Sequence, residues 1–400
     1  MVWLVWLLPG LLAAGERYAR WDWLEPAAVP YLREAGITQL LVAGNTPPEF
    51  RTACEQAGIR MVAGAPPGVQ FITEGTWPRL NPMVQTSPGG DKVTAGASGE
   101  PWIEANGWLI LYHRARAAQP VLLACDPPKE GRLRPGSLEL AVAEAASFGG
   151  QVALKLDERL RRGLAEAQPR VVAEWKRVAE QLKFAESAVF CGVPAANIAV
   201  VADTLEPVAE VLNLLARRNH PFLVLPRGGD LQAALAKKYA LVIAIAQPPL
   251  PPAKAAPPKS PSAARAPIVV QRKEVLDPEA FVAEMRKRMT GRRLYALSNA
   301  ETIISYPWRL EDGRLAVHLV NYAIDPLLEV RLRPAVKFSR ALLFTPEDAA
   351  PRPLAARAGE VVIPEMNVSA VVVLENQESE ISVPFPSVFI RVHPNRVHPW

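Results

Sequence analysis

Two hydrophobic periods run along this chain, and they change over near residue 290. Before that point, short apolar runs alternate with stretches whose apolar residues recur at helical spacing. QLLVAG (39–44), IRMVAG (59–64), VQFIT (69–73), VLLAC (121–125) and QVALKLD (151–157) read as buried strands. Residues 26–35, PPEFRTACEQAG (47–58), the run after Gly107, SLELAVAEAASFGG (137–150) and a span from about 170 to 187 read as helices. Proline is tolerated at a helix start and glycine marks its end, as Pro47 and Gly58 do here. In the last helix Val171, Val172, Trp175, Val178, Ala179, Leu182 and Phe184 make the apolar stripe. Glu174, Lys176, Arg177, Glu180 and Lys183 are expected on its wet face. This texture predicts a parallel sheet with helices over it for residues 16–190.

A second alternation follows over 195–290. ANIAVVAD, PFLVLPRGG and ALVIAIA are strands, with helices in LEPVAEVLNLLARRNH and LQAALAKKY. That order predicts a small open α/β sheet. Asp203 ends the first of these strands and is expected to act as a cap or loop residue. Residues 247–267 form a Pro/Ala tract that cannot make a core and reads as a stiff exposed loop. IVVQR is a further strand. DPEAFVAEMRKRM is a helix with Asp277 as cap and Pro278 at its first position. From 291 to 385 the period is two: RLYALSN, TIISYPW, GRLAVHLVNYA, LLEVRLR, FSRALLF, GEVVIP and SAVVVLEN predict an antiparallel β-sandwich. Residues 386–400 are a tail. In RLAVHLVNY, Leu315, Val317, Leu319 and Val320 suggest a core strand, so His318 is expected as a satisfied or surface histidine. The fold class is α/β, multidomain.

Composition narrows the function. Four hundred residues suit two or three domains. Half the residues are apolar, enough for large cores, and 40 prolines imply many rigid loops. The net charge of +5 is scattered, and no nucleic-acid module is present, so nucleic acid is not an expected partner. Cys54, Cys125 and Cys191 match no metal motif, leave at least one thiol free, and each lies in or near an apolar run where a buried thiol is expected. The five histidines form no close ligand set, and GxGxxG and GxxxxGK[ST] are missing, so neither a metal nor a nucleotide cofactor is expected. Residues 1–15, MVWLVWLLPGLLAAG, read as a signal peptide or short anchor, so export to the periplasm or the outside is expected, with a cytoplasmic location the alternative if the segment is not a signal. No later segment is long and apolar enough to span a membrane.

The richest stretch is SGEPWIEANGWLILYH, 98–113. Polar groups where a buried strand gives way to a loop are what a β/α scaffold presents to a ligand. Glu104 lies near such an exit, and Asp126 lies directly after VLLAC. These two are the candidate catalytic carboxylates. Glu100, Trp102, Asn106, Trp108 and Asp157 are candidate substrate contacts, since aromatic rings beside carboxylates and amides suit a sugar. Glu144 is expected to be a surface or packing residue of its helix. An ordinary strand end, with both tryptophans filling core, is the competing reading.

GEPWIEANGW, SLELAVAEAASFGG, EVLNLLARRNHPFLVLP and RLAVHLVNY, in this order of regions, resemble bacterial glycoside hydrolases of the thermostable β-galactosidase type. The resemblance implies a β/α-barrel, then an amidotransferase-like trimerisation domain, then a β-sandwich. It implies a carbohydrate partner, a homo-oligomer, and hydrolysis by a proton-donating carboxylic acid with a second carboxylate. One departure matters: about 250 residues make a full barrel, and the first region is much shorter. Three readings therefore stay open: a glycosidase, a non-catalytic descendant binding glycan or protein, and an assembly subunit.

Overall fold

A computed structural model of the chain describes residues 16–42, 44–82, 85–86, 92–93, 105–126, 131–227, 239–245 and 268–376. The expected signal segment, the Pro/Ala tract, all but the last residue of LQAALAKKY, and the tail lie outside them.

Six parallel strands organise the first region. They are β1 (Tyr18–Arg20), β2 (Gln39–Val42), β3 (Arg60–Ala63), β4 (Gln70–Ile72), β5 (Val121–Leu123) and β6, split into Gln151–Val152 and Leu154–Lys155. Hydrogen bonding orders them β3-β2-β1-β6-β5-β4. β6 joins the two halves, because its first piece pairs with β5 and its second with β1. Neighbours in sequence are thus mostly neighbours in space, as in a barrel. Among the described residues, however, no pairing joins β3 to β4. Parallel neighbours need a crossover of about a dozen residues. The link between β3 and β4, residues 64–69, is shorter than that and carries no helix.

Five helices follow the apolar spacing, α1 (Val29–Glu34), α2 (Pro48–Gln56), α3 (Gly107–Arg114), α4 (Ser137–Ser147) and α6 (Pro169–Phe184), and α5 (Glu158–Ala165) is added where none was expected. Val171, Trp175 and Val178 of α6 are buried as the period requires. Glu174 is not on a wet face: it is buried, and its carboxylate takes both terminal nitrogens of Arg159 at 2.9 Å. Periodicity sorts side chains by solvent, and a carboxylate with a fixed guanidinium partner can sit inside.

The second region is a four-stranded parallel sheet. Its strands are β7 (Ile198–Val201), β8 (Phe222–Leu225), β9 (Leu241–Ile245) and β10 (Ile268–Arg272), in the order β8-β7-β9-β10. α7 (Ala209–Arg217) and α8 (Pro278–Arg288) pack together beside it, and Asp277 caps α8 through Ala280 N–H at 2.9 Å. Asp203 caps no helix; it accepts from Arg227 N–H at 2.8 Å and ties the exit of β7 to that of β8.

The third region is antiparallel. β11 (Tyr295–Ser298), β14 (Leu327–Pro334), β18 (Glu360–Met366) and β17 (Ala356–Arg357) make one sheet, in the order β11-β14-β18-β17. β12 (Ile303–Arg309), β13 (Leu315–Asn321), β19 (Ser369–Asn376), β15 (Phe338–Phe344) and β16 (Arg352–Leu354) make the other, in the order β12-β13-β19-β15-β16, with Val193–Pro194 added on the β12 edge. Along β13 the faces alternate: Leu315, Val317 and Leu319 meet the first sheet, while Ala316 and Val320 join the core of the other two regions. Both faces are dry. His318 therefore lies on the face opposite the sandwich core, as its position predicts, yet it is fully buried. Its Nε2 bonds Val189 O at 2.8 Å, and burial pushes its pKa down to about 4.

Candidate functional site

The carboxyl ends of the parallel strands form a rim built from charged residues. Arg20 ends β1 and stands beside Lys155 on β6. Asp22 follows β1, and Asp126 follows β5. The pairs interlace across the strand ends. Arg20 meets Asp126 at 3.0 Å and also donates to Ala124 O, while Lys155 meets Asp22 at 3.0 Å. Both carboxylates are about half exposed, 54% for Asp126 and 52% for Asp22. Asp157, two residues beyond β6, is turned inward. One oxygen caps α5 through Leu160 N–H at 2.8 Å, and the other accepts from Leu133 N–H at 2.9 Å. Those two bonds explain why α5 begins where it does, and they hold the chain before α4 against the strand exit.

Asn106 lies at the head of α3 and is buried. Its amide clasps Thr76 in both directions: Nδ2 donates to Thr76 O at 2.8 Å, and Oδ1 accepts from Thr76 N–H at 2.9 Å. Gly75 must be glycine here. Its φ is +128°, and a Cβ would come within 2.9 Å of Asn106 Oδ1 and 3.5 Å of Cys125 Sγ. Asn106 is thus fixed next to the residue that precedes Asp126. Trp77 Nε1 donates to Cys125 O at 3.0 Å on the same side.

Beneath this corner lies a group that helix periodicity concealed. Glu144 of α4 is completely buried. Its carboxylate accepts from the backbone N–H of Asn106, from Gly107 N–H at 2.8 Å, and from Asn106 Nδ2 at 3.3 Å. The positive end of α3 faces it, as an anion site at a helix start would. Tyr322, from the chain after β13, adjoins the carboxylate, and burial raises the pKa of both groups. Glu144 was expected at the surface or in routine packing; it is instead the acceptor that seats α3. No sequence signal marks it, because its donors come from another helix more than thirty residues earlier in the chain.

The aromatic palette is mostly structural. Trp21 packs edge-on to Trp175 at 5.8 Å, Trp23 lies 5.9 Å from Tyr31, and both, like Trp77, are buried. Trp108, early in α3, is half-buried against the same core. Of the candidate residues, Asn106 and Asp126 come to one corner and Asp157 serves α5. Glu100, Trp102 and Glu104 lie outside the described residues. The thiols divide: Cys54 and Cys125 are buried, whereas Cys191, just after a short helical turn, is exposed. Burial pushes the Cys125 thiol up to about 11, which keeps it unreactive. Among the described residues, no group of three or more His, Cys, Asp and Glu is placed to hold a metal ion, and no helix is long and apolar enough to cross a membrane.

No known family model matches this chain, and no curated protein does. Solved structures are similar to it at low identity. One is an α-L-fucosidase isoenzyme from Paenibacillus thiaminolyticus, with 10% identity and TM-score 0.41 over 65% of this chain and 60% of that one. Another is a β-galactosidase from Rahnella sp. R3, with 11% identity and TM-score 0.42 over 67% of this chain and 57% of that one. A third is a β-galactosidase from the haloarchaeon Halorubrum lacusprofundi, with 13% identity and TM-score 0.41 over 88% of this chain and 66% of that one. The chain spans 57% to 66% of the length of these three.

Proposed function

We propose that this is an exported glycoside hydrolase-like protein that has become a non-catalytic carbohydrate-binding protein. The observation that carries this reading is the state of the rim. A glycosidase needs an acid and a second carboxylate facing one bond, about 5–5.5 Å apart in retaining enzymes and somewhat more in inverting ones. Here Asp126 and Asp22 each face a cation from another strand. Asp157 spends both oxygens on backbone N–H groups. Glu139, Glu144 and Glu174 are buried among their own hydrogen-bond partners.

One observation favours a second reading, an active glycosidase using Glu104 with Asp126. The chain that leaves the 98–105 stretch is anchored at Asn106, beside Cys125 and hence beside Asp126. A broad panel of aryl glycosides separates the two. The wild-type chain is expected to give no turnover above the buffer rate, while soluble polysaccharides retard it in affinity electrophoresis. Turnover that falls by about 10²–10⁴-fold in Glu104→Gln would establish the glycosidase instead.

A further inference from the structure

The mouth of the first sheet carries cations and carboxylates at different degrees of exposure. Ala19 and Leu154 pair in register and join the core shared with the helices. Arg20 and Lys155, the next pair, therefore lie on the opposite face, beside a small apolar cluster of Tyr18, Leu122, Ala124 and Ala153. Two cations side by side on neighbouring strands repel, and each is relieved by a carboxylate from beyond a strand end. Arg20 reaches across β6 to Asp126, and Lys155 reaches Asp22. The cations are the more enclosed: Arg20 is 29% and Lys155 22% exposed, against about half for each carboxylate.

What this layer leaves open is hydrogen-bond acceptors. Arg20 commits its guanidinium to Asp126 Oδ2 and Ala124 O, and Lys155 its ammonium to Asp22 Oδ2. Among the described residues, the other oxygen of each carboxylate, Oδ1, takes no hydrogen bond. The polar groups nearby are already engaged. The Asn106 amide is held by Thr76 and Glu144, and Asp157 gives both oxygens to backbone N–H groups. A half-exposed carboxylate whose charge is balanced accepts hydroxyl donors, and such charge-assisted bonds are short and strong. A ligand anion meets the reverse: both cations are occupied, and the groups most open to it carry its own sign.

We propose that Asp22 and Asp126, held in place by Lys155 and Arg20, select neutral, hydroxyl-rich glycans and reject acidic ones, each carboxylate accepting sugar hydroxyls at Oδ1. This selection rests on the carbohydrate-binding reading above. The test is retention of the full chain on beads carrying neutral polymers (galactan, mannan and β-glucan) and on beads carrying acidic ones (polygalacturonate and alginate). Salt high enough to screen the chain's overall positive charge is present throughout. The wild type is expected on neutral polymer only. Asp22→Asn and Asp126→Asn should each weaken the apparent affinity for it about tenfold, as a charge-assisted bond becomes an ordinary one. The double variant leaves Arg20 and Lys155 uncompensated and should gain retention on the acidic polymers. Urea unfolding curves identify the variants that fold, and either single variant suffices for the comparison. Retention of the wild type on no polymer would overturn carbohydrate binding itself. Retention on acidic polymers as strong as on neutral ones, or neutral retention unchanged in the variants that fold, would overturn the selection and leave carbohydrate binding standing.

Discussion

The rim of the parallel strands and the seam beneath it use the same residue types to opposite ends. At the rim, Asp22 and Asp126 are half exposed, and each meets one cation in contact with water. In the seam, Glu144 is fully buried and gathers backbone and amide donors from α3, with Tyr322 of the third region alongside. Arg79 reinforces the seam from the other side. It holds a left-handed φ of +55° and donates to Ala323 O. Trp308 Nε1 reaches Ser147 O at 2.8 Å, and Ser369 reaches Gln181 Oε1 at 2.8 Å. The difference teaches that polarity alone does not mark a site. A carboxylate with many fixed donors is architecture, and one with a single hydrated partner stays available for a ligand.

The largest expected effect is at Glu144. Glu144→Ala strands two backbone donors and the Asn106 amide, and should cost about 3–5 kcal/mol in a urea unfolding curve. Its raised pKa adds a pH signature. The folded value lies above the ordinary 4.5, so the stability it contributes is present at low pH and is lost as pH rises through the folded value. Glu144→Gln should flatten that loss, and an unchanged pH slope in this variant would remove Glu144 from the seam's energetics.

The next effect runs the other way with pH. Burial holds His318 near 4 against an ordinary 6.5. Stability present above pH 6.5 is therefore lost as pH falls towards 4, by about 3 kcal/mol for this one group. His220 has the same sign. Unfolding curves from pH 7 to 4 should be steeper in the wild type than in His318→Gln, and equal slopes would show that His318 is not the group that titrates.

The smallest effect should be at the rim. Asp126→Ala removes an ion pair in water and should change stability by no more than about 1 kcal/mol. A loss as large as that of Glu144→Ala would erase the distinction between rim and seam.

Much of the backbone was legible from residue order. Strands such as 39–42, 121–123 and 241–245, and helices such as 48–56 and 278–288, fall inside the runs and caps that name them. Turn and cap chemistry is local, so residues a few places apart carry it. α5 was not legible: no helix was expected over 158–165, and its cap bond becomes visible once Asp157 is placed. The candidate corner was half legible: Asn106 and Asp126 stood out as polar residues at strand exits, but nothing local showed that Asp126 faces Arg20.

The chain's own order of apolar periods determined three regions, their strand directions and most helix limits, since short-range periodicity decides which faces shed water. Which carboxylates are buried, which are paired and which stay wet was decided only by tertiary structure. Glu144, Glu174 and Asp126 are chemically near-identical along the chain. Their roles differ because their donors arrive from residues 15 to more than 100 positions away, brought there by packing that no local pattern encodes.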